Sequence, residues 1–170
     1  MVCELRLWRT EYAEDLAVLL NNKNILDNLR DGLPYPYTAS DAYDFIKAML
    51  GSDKDNLFAF AVFYKNELAG SIGIFRQSNI HSRTAELGYY IGERFWNKGV
   101  ATEAVEKICQ FVFDNSDIIR VYAEPFSRNK ASCRVLEKAG FVCEGTMKAN
   151  AVKNGVIEDM KIYAKIKEVK

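Results

Sequence analysis

Glu86-Leu87-Gly88-Tyr89-Tyr90-Ile91-Gly92-Glu93-Arg94-Phe95-Trp96-Asn97-Lys98-Gly99-Val100-Ala101-Thr102-Glu103-Ala104-Val105 is the stretch on which the reading of the chain turns. Its first part, aromatic and branched with a single carboxylate, predicts a buried strand. Its last part predicts the opening turn of a helix, and a short loop ending in Asn97-Lys98-Gly99 joins the two. A strand feeding a helix through such a loop aims several unpaired backbone N–H groups at one point. The helix dipole adds partial positive charge there, so the point suits a phosphate. Gly99 has no Cβ and Ala101 has the smallest, which keeps the approach clear for an anion. The six-position glycine pattern of dinucleotide folds is missing, as is the Gly-Lys-Ser/Thr ending of a nucleotide P-loop. On spacing alone, a plain helix start after Asn-Lys-Gly explains the stretch equally well.

Working outward, residues 3–9 alternate and predict a first strand. Thr10 is a candidate N-cap for a helix over 11–21, with Leu16, Leu19 and Leu20 on its apolar face. A second helical piece over 23–30 ends at Asp31-Gly32. Two prolines keep Leu33-Pro34-Tyr35-Pro36-Tyr37-Thr38 extended. Ser40 or Thr38 caps a helix over 40–50. From Leu57 the period changes to that of strands: 58–64, a Lys65-Asn66 turn, and 68–75 form a hairpin. The organising strand covers 83–92 and its helix runs from Gly99 to about Phe113. A strand over 118–124 is stopped by Pro125. A helix over 129–139 has Gly140 at its C′ position. Strands over 141–146 and 156–166, the second preceded by a Lys153-Asn154-Gly155 turn, finish the chain. This order predicts one domain over residues 1–170, a mixed α/β sandwich with a central sheet covered by helices.

Composition narrows the function classes. Of 170 residues, 49% are apolar and 27% charged, the profile of a globular chain. Lys+Arg and Asp+Glu both number 23, so no overall basic field invites nucleic acid or an anionic membrane. The N-terminus lacks a signal-peptide core, and no run reaches the about 18 apolar residues that span a bilayer. Cys3, Cys109, Cys133 and Cys143 are scattered without C-x-x-C spacing or a nearby histidine, which argues against a metal. The expectation is a metal-free cytoplasmic domain with reduced thiols.

Three segments together resemble the GNAT acetyltransferase superfamily, in its RimJ/RimL-type branch of ribosomal-protein N-terminal acetyltransferases. Leu33-Pro34-Tyr35-Pro36-Tyr37-Thr38 is similar to the branch's proline-tyrosine segment. Glu86 to Tyr89 with Trp96 to Ala104 resembles the acetyl-CoA pyrophosphate motif and its preceding strand. Asn129-Lys130-Ala131-Ser132 with Leu136 to Phe141 resembles the motif on the following helix. The resemblance implies an acyl-CoA N-acyltransferase fold, a mostly antiparallel sheet with one splayed parallel pair and helices on both faces. It implies acetyl-CoA as donor and a primary amine as acceptor, either a peptide N-terminus or a small molecule such as a polyamine, amino acid or antibiotic. It also implies that Trp96, Asn97, Lys98, Gly99, Val100, Ala101 and Thr102 hold the pyrophosphate. By the same resemblance the backbone around Tyr90 and Ile91 would pair with the pantetheine arm, and Asn129 and Ser132 would contact the cofactor too. Similar proteins are usually dimers, which makes a homodimer the partner the resemblance suggests. Three departures stand out: Trp96 where Gln or Arg is usual, Asn97 where Gly is frequent, and Leu136 where many members carry a tyrosine acid.

Acetyl transfer needs the amine to lose a proton, the carbonyl oxygen to be stabilised and the thiolate to be received. Glu86 is the candidate base, since a carboxylate in so apolar a strand is costly without a purpose. The competing reading pairs Glu86 with Arg83, Arg76 or another cation to steady the sheet. Ser132 is the candidate to hydrogen-bond or protonate the leaving sulfur, against a plain role in satisfying helix backbone. Asn129 is by type an N-cap. Tyr35, Tyr37 and Phe75, with Glu86, are candidates for the acceptor side, against simple packing. His81, the single histidine, has no triad partner, and Cys133 is expected in packing. Rival functions are a non-catalytic acyl-CoA-binding module and a nucleotide-phosphate binder.

Overall fold

The computed structural model describes residues 2–168. Seven strands form one sheet: β1 Glu4–Arg6, β2 Leu57–Tyr64, β3 Glu67–Arg76, β4 Thr84–Ile91, β5 Arg120–Ala123, β6 Val142–Lys153 and β7 Val156–Ile166. Their order across the sheet is β1-β2-β3-β4-β5-β7-β6, and among the described residues only the β4–β5 pair is parallel. The helices are α1 Ala13–Leu20, α2 Lys23–Leu26, α3 Ala39–Leu50, α4 Val100–Asn115 and α5 Lys130–Lys138. Strand alternation divides the apolar residues between two faces. On β2, Val62 joins the core made with α4 and α5, alongside Ile72, Leu87, Ile108 and Leu136. Its neighbours Ala61 and Phe63 join the core made with α1 to α3, alongside Leu16, Leu20 and Ile46. The expected mixed sheet with helices on both faces and one parallel pair is the observed fold.

Several elements differ from the sequence reading, each for a local reason. The first strand stops at Arg6, because Trp8 turns into the second core and meets Phe45 edge-on at 5.5 Å. Thr10 opens a 3-10 turn instead of capping a helix, and α1 starts at Ala13. The helix expected over 23–30 ends at Leu26. Thr38, not Ser40, caps α3 through a reciprocal capping box with Asp41, whose carboxyl it holds below the usual range. β6 continues seven residues beyond Thr146 to Lys153. Its ladder shifts register between Met147 and Ala151, and Ala149, at φ 50°, gives its N–H to the Asp159 carboxylate at 2.8 Å. That irregularity breaks the alternation by which a strand is read.

The opening that positions the site lies between β4 and β5. Thr84, Ala85 and Glu86 pair with Arg120, Val121 and Tyr122, and the named pairing then stops. β4 runs on to Ile91 while β5 ends at Ala123, ahead of Pro125. Three backbone hydrogen bonds fix which way the peptides of β4 face. Ile119 N–H donates to Arg83 O at 2.9 Å, on the β5 side. Gln77 N–H donates to Thr84 O at 2.9 Å and Gly92 N–H to Ala69 O at 2.8 Å, both on the β3 side. Peptide direction alternates along a strand, so Tyr90 turns its N–H and C=O to β3, whereas Tyr89 and Ile91 turn theirs into the opening.

The other side of β4 is tightly fixed. A Cβ built on Gly70 would lie 2.1 Å from the Tyr90 carbonyl oxygen, a backbone atom. Gly70→Ala should therefore push β3 from β4, at a cost of roughly 3 kcal/mol. Thermal melting should fall by about 6–12 °C; an unchanged melting point would mean the two strands have slack.

Candidate active site

The loop leaving β4 makes a 3-10 turn at Glu93–Phe95, extends at Trp96 and then curls. Asn97 has φ 59° and Gly99 φ 77°, so two left-handed residues flank Lys98. Alternation of this kind turns successive N–H groups toward one concavity that suits an anion. Asn is the non-glycine residue that best tolerates the left-handed region, which reconciles Asn97 with a position where glycine is frequent. Gly99 is the N-cap of α4 and offers no side-chain cap bond, and the helix is 16 residues long. Its first-turn donors at Val100, Ala101 and Thr102 need an acceptor from elsewhere. The nearest carboxylate in that turn, Glu103, is committed to Lys107 at 2.7 Å and to Val2 N–H at 2.5 Å.

Two side chains of the loop brace it. Trp96 Nε1 donates to Ile91 O at 2.7 Å, so the indole closes the loop onto the end of β4 and leaves the Ile91 N–H facing the opening. Lys98 Nζ donates to Arg94 O at 2.7 Å, so this lysine is bent into the loop and would contribute through its backbone. Tyr90 cannot pair its peptide with a ligand in the opening, because β3 holds it. That role falls to Tyr89 and Ile91. The Tyr90 phenol packs on the second core, where burial pushes its pKa well up against the hydrogen bond with Ser71.

Across the opening, Asn129 Oδ1 accepts from Ser132 N–H at 3.1 Å and caps α5 as its type predicts. Ser132 Oγ lies 2.8 Å from the Tyr89 hydroxyl. Leu136 is fully buried. Cys133 is buried in the first core, as expected.

Glu86 lies on the opposite face of β4 from Tyr89, directly across from Phe75 in register. Its side chain is 21% exposed and pairs with Arg30, which also approaches Glu124 at 3.7 Å. Arg76 and Arg83 instead serve Asp117, at 2.8 and 3.9 Å. Burial first, then the charge of Glu86, raises Glu124 above the ordinary carboxylate range. Beyond Arg30 a groove of about 280 Å³ is lined by Glu124, Phe126, Asn150, Lys153 and Met160. Phe75 is half exposed beside Glu86, its ring edge near Gly88. Tyr35 is exposed under Lys23. Tyr37 is buried in the second core with its hydroxyl unpartnered, held at its backbone by Asn21; it does not line an open acceptor surface.

Sequence reasoning missed Arg30 and Glu124. Glu124 is two residues after Tyr122, which pairs with Glu86. Strand alternation therefore places both carboxylates on one face, a signal readable once β4 and β5 are taken as parallel. Arg30 sits in a loop and gives no such signal.

Taken together, the site is a split sheet whose free strand edge leads to the uncapped start of α4, with two carboxylates on the other face of β4. Residues 3–142 match the family model described as the acetyltransferase (GNAT) domain, and the chain belongs to that family. A probable N-acetyltransferase, YjcK, of Bacillus subtilis (strain 168) is 35% identical over 114 residues, covering 66% of this chain and 63% of the relative. The chain therefore spans under two thirds of that relative's length. Among solved structures, the microcin C7 self-immunity acetyltransferase MccE in complex with acetyl-CoA and AMP superposes with a TM-score of 0.85 at 27% identity, covering 97% of this chain and 92% of that one. RimL, the ribosomal L7/L12 α-N-protein acetyltransferase, in complex with coenzyme A gives a TM-score of 0.87 at 25% identity, covering 98% and 94%. No helix among the described residues is long and apolar enough to cross a membrane.

Proposed function

We propose that the protein is an N-acetyltransferase that moves acetyl from acetyl-CoA to a primary amine by direct attack. One observation carries the reading: the Tyr89 peptide and the Ile91 N–H, turned into the opening, lead straight into the uncapped first turn of α4. Backbone donors thus run continuously from an amide-pairing edge to an anion seat. Asn97 to Thr102 would hold the pyrophosphate, and Tyr89 and Ile91 the pantetheine amides. When bound, acetyl-CoA supplies the activated acyl group.

The acceptor's place is the Glu86 face. Two half-buried carboxylates share one guanidinium there, and Arg30 is 68% exposed while Glu86 and Glu124 are 21% and 24% exposed. One negative charge is left unmatched in the cluster, which favours an ammonium arriving through the groove. Glu86 would take its proton, directly or through water. A protein N-terminal α-amine, with pKa about 7.7–8.0, needs less help at neutral pH than an alkylammonium at about 10.4. That makes the α-amine the favoured acceptor where a carboxylate takes the proton. Mass-spectrometric screening with acetyl-CoA across N-terminal peptides, polyamines and amino acids tests the assignment. Acetylated peptide α-amines are expected; tight coenzyme A binding with no product from any amine would leave a binding module instead.

A further inference from the structure

We propose that Tyr89 is a positioning residue of the acyl-transfer site, holding Ser132 so that the two hydroxyls act together on the sulfur that departs. The inference rests on the acetyl-CoA reading above and deepens it. The superfamily's tyrosine acid would stand at Leu136, and Leu136 is buried in the core. Ser132 lies four residues earlier on α5, so the two share a helix face. The phenol that α5 lacks reaches that face from the neighbouring strand: Tyr89 hydroxyl and Ser132 Oγ are 2.8 Å apart.

The Ser132 N–H is already taken by Asn129 Oδ1 at 3.1 Å, and Ser132 Oγ turns to Tyr89 instead of to a helix carbonyl. The Tyr89 hydroxyl also reaches the Ser132 carbonyl, but at 3.5 Å, the longer of its two contacts. Tyr89 sits in the part of β4 past the last residue paired with β5, on the face that carries α4 and α5. A hydroxyl has one proton and two acceptor sites. With the phenol's proton on Ser132 Oγ, the shorter of its two contacts, the serine proton is left for a third group, and the bond already made polarises it.

Magnitudes decide what that proton does. Burial pushes the Tyr89 phenol up to about 12, although its bond with Ser132 works against this. A thiol such as coenzyme A's titrates near ~8.5. The phenol will not surrender its proton to a thiolate that much weaker as a base. What the pair supplies is a hydrogen bond to negative sulfur. As the amine nitrogen bonds to the acetyl carbon, the carbon–sulfur bond breaks and its electron pair stays on sulfur. The nitrogen's proton goes to the base, and the thiolate is stabilised by Ser132 Oγ–H until water protonates it.

Coenzyme A itself is the probe, with desulfo-coenzyme A as the control that lacks the sulfur. A hydrogen-bonded thiolate should make coenzyme A bind about tenfold tighter at about pH 9.5 than at about pH 7, relative to the desulfo compound. Thiolate absorbance of the bound ligand should titrate about one unit lower than in free coenzyme A. Tyr89→Phe and Ser132→Ala should each remove the gain, and the double variant should lose no more. Each variant's gain is read against its own affinity for desulfo-coenzyme A. A gain that survives Tyr89→Phe, or losses that add, would overturn the inference and leave the donor assignment intact. If Tyr89→Phe loses desulfo-coenzyme A as well, Ser132→Ala decides, and a retained gain there overturns the pair. Failure of the native protein to bind either compound would instead overturn the acetyl-CoA reading.

Discussion

Gly99→Trp is expected to lower coenzyme A affinity at least about a hundredfold, roughly 2.7 kcal/mol, while the domain stays folded. Gly99 caps α4 at φ 77°, and a Cβ built there meets nothing within 4 Å. An indole therefore has room, and the room it takes is beside the first-turn donors. The backbone cost is that of an L-residue in the left-handed region, about 1–2 kcal/mol, or a fall in melting temperature of about 2–8 °C. Gly99→Ala carries the same backbone cost with a single methyl group. Equal melting shifts for the two variants, with a large affinity loss only for tryptophan, would place the pyrophosphate at this turn. A tryptophan variant that binds coenzyme A like the native protein would send the donor elsewhere.

What was legible in the sequence was what local chemistry controls. The β4–loop–α4 unit, the cap at Asn129 and the hairpin at Lys65-Asn66 are set by residue types over a few positions. Both turn residues at Lys65-Asn66 take positive φ, 49° and 66°, as a tight hairpin requires. Legibility failed where position depends on distant chain. Arg30 was invisible because the segment carrying it is placed by remote partners: Arg128 bonds Asn28 Oδ1 and Asp27 O, both at 2.7 Å, and Lys153 meets Asp31 at 2.7 Å. Tyr37 is a candidate for the acceptor side on its sequence context, yet Asn21 draws its backbone inward with two hydrogen bonds and the ring joins the packing. Tyr90 turns its peptide to β3 and not to a ligand because hydrogen-bond phase along β4 is set by the register with β3, which composition does not encode. Trp96 departs from the usual Gln or Arg because its indole N–H closes the loop onto the Ile91 carbonyl, a contact that residue type alone does not announce.

Glu86→Gln should cut kcat/KM for the amine found in the screen by about a hundredfold or more near neutral pH, the lower range for loss of a positioned base. The change keeps shape and removes charge. Its pairing with Arg30 adds little to stability in the balance, since the arginine is largely exposed and screened. The deficit should shrink as pH rises, because an amine that is already neutral needs no base. For a protein α-amine the gap should close just above about pH 8, and for an alkylamine it should persist past about pH 10. The same profile therefore reports both the role of Glu86 and the class of acceptor. Glu124→Gln is the necessary companion, because burial and the charge of Glu86 raise that carboxyl above the ordinary range, the direction that strengthens a carboxylate as a base. If Glu124→Gln collapses the profile while Glu86→Gln leaves it unchanged, the roles are reversed: Glu124 takes the proton and Glu86 seats Arg30. If neither moves it, the carboxylates only steer the ammonium, and salt should then weaken KM while kcat stays constant.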